Sequence, residues 1–162
     1  MSIEQVRAYL NRWNRDKDII EMDISTATVE LAASALGVIP ARIAKSMSLR
    51  GQDNGAFVVV TAGDVKLDNQ KFKSHFNFKA RMLSPDEALE YTGHAVGGVC
   101  PFALPPGVDV FLDDSMKRFE TVFPACGSGN SAIELTLAEL EEYSQCKGWV
   151  DVCVSRPEQV ST

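Results

Sequence analysis

Gly55-Ala56-Phe57-Val58-Val59-Val60-Thr61 is the clearest strand in the chain: β-branched, apolar and bounded by glycines. Downstream of it, Gly63-Asp64 turns the chain and Asp68 caps a helix predicted over 69–77, with Phe72 and Phe76 among its apolar members. Ala80 to Leu83 reads as a short strand. Ser84-Pro85-Asp86-Glu87 then places serine at the N-cap, proline at the first helical position and glutamate at the third. That is a full capping box, for a helix ending near Tyr91. Upstream, Lys45-Ser46-Met47-Ser48-Leu49 alternates polar and apolar, as an edge or half-buried strand does. Pro40 suits the first turn of a short helix to Ala44, and Ser25 or Thr26 caps a helix that runs to Leu36 and stops at Gly37.

Ile3, Val6, Leu10 and Trp13 recur at helical intervals, which predicts an amphipathic helix over 3–15, followed by a strand from Asp18 to Asp23. In the C-terminal half, Val108 to Leu112 and Glu120 to Phe123 read as strands, with a helical turn at Ser115 to Phe119 between them. Ala132 to Leu135 is extended, Thr136-x-x-Glu139 opens a helix to about Tyr143, and Trp149 to Val154 is a last strand. Strands outnumber helices, and the helices follow no regular βαβ rhythm. The pattern is α+β with a mixed sheet, in one domain covering residues 1–162.

Of the 162 residues, 45% are hydrophobic and 23% charged, enough to build a real core. No apolar run approaches the length of a membrane span, and Met1-Ser2-Ile3-Glu4-Gln5 lacks the basic-then-apolar pattern of a signal peptide, so a cytoplasmic protein is expected. Cys100, Cys126, Cys146 and Cys153 form no CxxC pair and His75 lies far from His94, so reduced thiols and no metal site are expected. A net charge of −6 rules out a broad grip on nucleic acid, because phosphate neutralisation dominates such affinity. Contact with nucleic acid would have to use a small basic patch. Arg42 with Lys45 and Arg50 is one candidate; Lys66, Lys71, Lys73, Lys79 and Arg81 form another.

Two glycine-rich loops stand out. Thr92-Gly93-His94-Ala95-Val96-Gly97-Gly98-Val99-Cys100-Pro101-Phe102 suits either a rigid loop that offers backbone N–H groups to a ligand or a simple connector between strands. Ala125-Cys126-Gly127-Ser128-Gly129-Asn130-Ser131 is the second, and neither matches a phosphate-binding or nucleophile-elbow pattern. Lys45, at a predicted helix-to-strand junction, can set its ammonium beside a phosphate or carbonyl, form a Schiff base, or simply cap a helix end. Cys100 with His94 lacks an orienting third group, which argues against a thiol nucleophile. Of Asp113 and Asp114, one is expected to cap the turn ahead of Ser115.

Three segments, in this order, resemble the YbaK family of free-standing proteins, which share a fold with the editing insertion domain of bacterial prolyl-tRNA synthetase. The first is Thr28 to Val38 followed by Arg42-Ile43-Ala44-Lys45-Ser46; the second is Thr92 to Phe102, holding the GxxxP signature as Gly97 to Pro101. The third runs from Phe111-Leu112-Asp113 through Val122 to Gly127, then Ile133-Glu134-Leu135.

The resemblance implies a strongly curved, mixed, barrel-like sheet flanked by helices. It also implies hydrolysis of the ester that joins a wrong amino acid to a tRNA, typically alanine or cysteine on proline tRNA, without metal or organic cofactor. By the same resemblance Lys45 holds the 3′-terminal adenosine and its phosphate. The backbone of Gly97, Gly98 and Pro101 then contacts the aminoacyl carbonyl region and positions water. Ser46, Gly127 and Ser128 fall at substrate-binding positions, with His94 a neighbour of the pocket. The implied partners are the acceptor end of proline tRNA and prolyl-tRNA synthetase, with no membrane. A non-catalytic module of the same fold, binding an acceptor stem, a nucleotide or a synthetase, is the alternative. Ala132, Met22 and Ser25 stand where other members place different polar or aromatic residues, so these positions are expected to shape the amino-acid pocket.

Overall fold

The structure is a computed structural model that describes residues 2–155. In chain order its regular elements are α1 (Ser2–Leu10), β1 (Ile20–Glu21), α2 (Val29–Leu36), β2 (Ile43–Arg50), β3 (Ala56–Ala62), β4 (Val65–Leu67) and α3 (Asn69–Phe76). After these come α4 (Pro85–Thr92), β5 (Asp109–Asp113), β6 (Thr121–Pro124), β7 (Ser131–Ala132), β8 (Leu135–Thr136), α5 (Leu137–Ser144), β9 (Gly148–Val150) and β10 (Cys153–Ser155).

Every residue of β3 is buried, because the strand lies inside a six-stranded sheet of order β8-β6-β2-β3-β5-β9. Pairing is mixed: β2–β3 and β6–β8 are antiparallel, while β2–β6, β3–β5 and β5–β9 are parallel. The sheet curls into a half-barrel, the α+β architecture expected. β1–β7 and β4–β10 form two separate antiparallel two-stranded sheets. The main core joins Val6 and Leu10 of α1, Phe72 of α3 and Leu140 of α5 to the side chains of β3 and β5. A smaller cluster packs Ala32 and Ala33 of α2 on Ile43 and Phe123.

Locally encoded features form as read. Asp68 caps α3, and capping boxes open α4 at Ser84/Glu87 and α5 at Thr136/Glu139. Asp113 caps the helical turn over Asp114–Arg118. All four cysteines are free thiols.

Several expectations are corrected. The cap of α2 is Thr28, which accepts from Leu31 N–H at 3.2 Å, and not Ser25 or Thr26. The helix expected over 3–15 is α-helical only to Leu10 and continues as a 3-10 turn at Asn11–Trp13. The strand expected over 18–23 contracts to β1, and the helix expected from Pro40 is one 3-10 turn ending at Arg42, directly before β2 begins at Ile43. Segment 80–83 makes one isolated bridge, Met82 to Leu49, and β4 had no sequence signal. The strand read over 149–154 is two strands in different sheets. Asp113 Oδ1 accepts the Val152 N–H at 2.9 Å and the Val152 carbonyl accepts from Asp68, which turns the chain between them.

Candidate functional site

β2 is fully paired with β3 from Ala44 to Arg50, but its other side has two different neighbours that do not meet. β6 reaches it only at Ile43 and Ala44, opposite Phe123 and Pro124. Segment 81–83 takes over further along: Leu83 N–H donates to the Ser48 carbonyl at 3.1 Å and Arg50 N–H to the Arg81 carbonyl at 2.8 Å. Between these contacts no described residue stands opposite Lys45, Ser46 or Met47.

This gap opens into a cleft of about 450 Å³ floored by β2 from Ile43 to Ser48. One wall is Thr26 to Val29 with Ala32 of α2; another is Met82, Leu83 and Pro85; Val96, Gly97 and Val99 form a third. Ala125, Ser131 and Ala132 close the remaining side. The first wall is fastened from behind. Met22 N–H donates to the Asn130 carbonyl at 2.8 Å, and Thr26 Oγ1 donates to the Gly129 carbonyl at 3.1 Å.

Within the GxxxP segment, Gly98 N–H donates to the Ala95 carbonyl at 2.9 Å and closes a turn. Val96 stands exposed at its tip, and Gly97 follows with φ +95°, the left-handed value that a type II turn requires at its third position. Gly97 lies on the cleft, where a Cβ would come 3.1 Å from the Cβ of Ala27. Gly98 turns away from it. A Cβ there would meet the carbonyl carbon of Gly127 at 2.7 Å and Ser128 N at 2.8 Å, so the two glycine loops touch backbone to backbone.

Lys45, Ser46 and Gly97 therefore line one cleft; Gly98, Gly127 and Ser128 form the layer behind it. Lys45 Nζ donates to the Val65 carbonyl at 3.0 Å. Nearby, the hydrogen bonds from Arg118, with a smaller contribution from the Lys45 charge, hold the Asp64 carboxyl below its ordinary value. Ser128 Oγ is spent on Asn130 and Ser131, at 2.9 and 2.7 Å. Pro101 faces a separate cavity with Tyr9 and Leu104 instead of the cleft.

His94, expected beside the pocket, is fully buried under the loop. Its Nε2–H donates to the Phe102 carbonyl at 2.8 Å, which fixes the tautomer, and Nδ1 accepts from the Ser2 hydroxyl. Burial lowers its pKa, partly offset by the Phe102 contact. Cys100 is also fully buried, and burial pushes its thiol up to about 12, which removes it as a nucleophile at neutral pH.

Of the expected basic patches, Arg42 pairs with Glu134, Arg50 with Glu87 and Lys71 with Asp151, so these cations are matched by carboxylates. Among the described residues no His, Cys, Asp and Glu side chains gather as a metal site would, and no helix is long and apolar enough to cross a membrane. The wall at Met82–Pro85 had no sequence signal as a site, and Thr26–Ala32 was marked only by the expected cap at Ser25 or Thr26 and by the family resemblance over Thr28–Val38.

Comparison with known proteins identifies the family and agrees with the fold. YwhH of Bacillus subtilis is 57% identical over 153 residues, 94% of this chain and 98% of its own length. The proline–tRNA ligase of Thermotoga maritima is 38% identical over 51% of this chain, which spans only 14% of that enzyme. EbsC of Enterococcus faecalis, described as a candidate Cys-tRNA(Pro)/Cys-tRNA(Cys) deacylase, is 28% identical over 67% of this chain and 66% of its own. A solved structure of a candidate trans-editing enzyme for prolyl-tRNA synthetase superposes with a TM-score of 0.84, at 25% identity, over 96% of this chain and 98% of that one. The family model for the aminoacyl-tRNA editing domain matches residues 24–143. The chain belongs to the aminoacyl-tRNA editing domain family, a family of deacylases.

Proposed function

We propose that this chain, acting as one domain over residues 1–162, hydrolyses in trans the ester of mischarged tRNA, with alanine or cysteine on proline tRNA as the substrate type. The observation that carries the reading is the convergence of Lys45, Ser46 and Gly97 on one open cleft whose walls include Ala27, Ala32, Ala125 and Ala132. Small side chains leave room for a small aminoacyl group. An aminoacyl ester is already activated, so catalysis needs only an oriented water and stabilisation of the developing oxyanion. In this reading the backbone at Gly97 faces the carbonyl and the water, Gly98 supports it from behind, and Lys45 holds the terminal adenosine with its phosphate. An acidic surface is compatible with gripping only the acceptor end, and prolyl-tRNA synthetase is the proposed source of the tRNA.

A deacylation panel on proline tRNA carrying alanine, cysteine or proline tests this. The parent is expected to release alanine or cysteine and spare proline, with Lys45→Ala lowering kcat/KM by at least about tenfold, the loss of one charge-assisted contact. No turnover of any substrate, with Lys45→Ala indistinguishable from the parent, refutes it.

A further inference from the structure

Along a strand, the N–H and C=O of one residue point to one side and those of its neighbours to the other. On β2, the Ser48 carbonyl and the Arg50 N–H point outward to Leu83 and Arg81. Ser46 shares their parity, so its own N–H and C=O point outward too, at the place where neither β6 nor segment 81–83 stands opposite. They face the cleft. Ser46 Oγ is in addition a buried side-chain atom without a hydrogen-bond partner. A buried hydroxyl left unpaired opposes folding, so its persistence beside an open strand edge points to a ligand.

An α-amino ester carries an N–H donor and a carbonyl acceptor in the same relation as one residue of a strand. Resting on the deacylase reading above, we propose that the aminoacyl group docks on Ser46 as a single added strand residue. Its carbonyl oxygen accepts from Ser46 N–H through one lone pair, leaving the other toward the Gly97 loop. Its ammonium donates one hydrogen to the Ser46 carbonyl and a second to Ser46 Oγ. This is strand addition reduced to one residue, with main-chain bonds supplying the grip. The free α-amino group thereby becomes a recognition element, independent of the side chain.

The test uses the full chain, labelled with nitrogen-15, and two non-hydrolysable adenosines: one with a 3′-alanylamino group, the other with a 3′-propanoylamino group that lacks only the α-amine. The alanylamino compound is expected to bind at least about tenfold tighter, the scale of a charge-assisted hydrogen bond. Its binding should move the Ser46 amide resonance and slow the exchange of that amide. Ser46→Ala should weaken the alanylamino compound several-fold and leave the propanoylamino compound nearly unchanged. Equal binding of the two compounds with an unmoved Ser46 amide, while mischarged tRNA is still deacylated, overturns the docking and leaves the deacylase reading intact. Failure of the alanylamino compound to bind also overturns it; joined to an inactive deacylation panel, that result removes both.

Discussion

Gly98→Ala tests whether contact between the two glycine loops holds the cleft in shape. A methyl group at Gly98 would lie 2.7 Å from the Gly127 carbonyl carbon and 2.8 Å from its oxygen and from Ser128 N, against ordinary contact beginning at 3.4 Å. All three neighbours are backbone, so no flexible side chain can swing aside. The loops must part by about 0.6–0.7 Å. Overpacking of this kind costs about 1–3 kcal/mol. For a chain of this size each kcal/mol lowers Tm by about 2–4 °C, so a fall of about 2–12 °C is expected by calorimetry. Gly97 is the next residue and would move with the loop. Displacements approaching 1 Å near reacting atoms cost up to about 100-fold, so kcat/KM for deacylation should fall about 10- to 100-fold. Two glycines supply controls. Gly129→Ala meets only the Cβ of Ala27 at 3.8 Å and should behave as the parent. Gly93→Ala meets nothing within 4 Å but sits at φ +78°, so it should lose about 1 kcal/mol and keep its turnover. A Gly98→Ala protein that melts and turns over like Gly129→Ala would refute the backbone contact.

Four further outcomes are expected. Asp113→Asn replaces one of two oxygens that accept from Ser115 and Val152 N–H, both at 2.9 Å, and should cost about 2–3 kcal/mol in urea unfolding; an unchanged midpoint would contradict the buried cap. Cys100→Ala should keep most of the turnover, and iodoacetamide should label Cys100 only once the chain unfolds; inactivation by labelling of the folded protein would contradict the buried, protonated thiol. Because burial depresses the His94 pKa, the unfolded chain takes up that proton first as pH falls. The His94 contribution is full above about pH 6.5 and declines below it at up to about 1.4 kcal/mol per pH unit; urea midpoints should show this slope, flattened in His94→Gln. Thr28→Ala removes the cap of α2 and should cost about 1 kcal/mol while loosening the wall formed by Thr28, Val29 and Ala32, which a melting curve with a KM measurement would report.

The parts of this molecule legible in the sequence are those decided within four or five residues. Asp68, Ser84 with Glu87, and Thr136 with Glu139 each cap the helix they precede, because donor and acceptor lie in the same short segment. The cap of α2, expected at Ser25 or Thr26 and found at Thr28, is not decided locally. Thr26 is an equally good cap by composition, but its N–H and its hydroxyl both donate to the Gly129 carbonyl, more than a hundred residues away, which ties it to the second glycine loop, and Thr28 supplies the cap. The same limit applies to the site. Both glycine loops announce themselves as loops, yet only packing decides that Gly97 faces the cleft and Gly98 the second loop. The alternation over residues 45–49 is the same for a strand paired on both sides and for one paired on one side. Its reading as an edge or half-buried strand is true only in part: β2 lies inside the sheet, but β6 stops short of Lys45 and segment 81–83 does not resume pairing until Ser48. Three residues are left as an edge in the middle of a sheet. A protein that closed the gap would gain hydrogen bonds along β2 and could give the buried Ser46 hydroxyl a partner. This chain forgoes both at the one stretch of β2 that carries Lys45, which is the physical argument for the proposal that substrate is recognised on the strand as well as at the Gly97 loop.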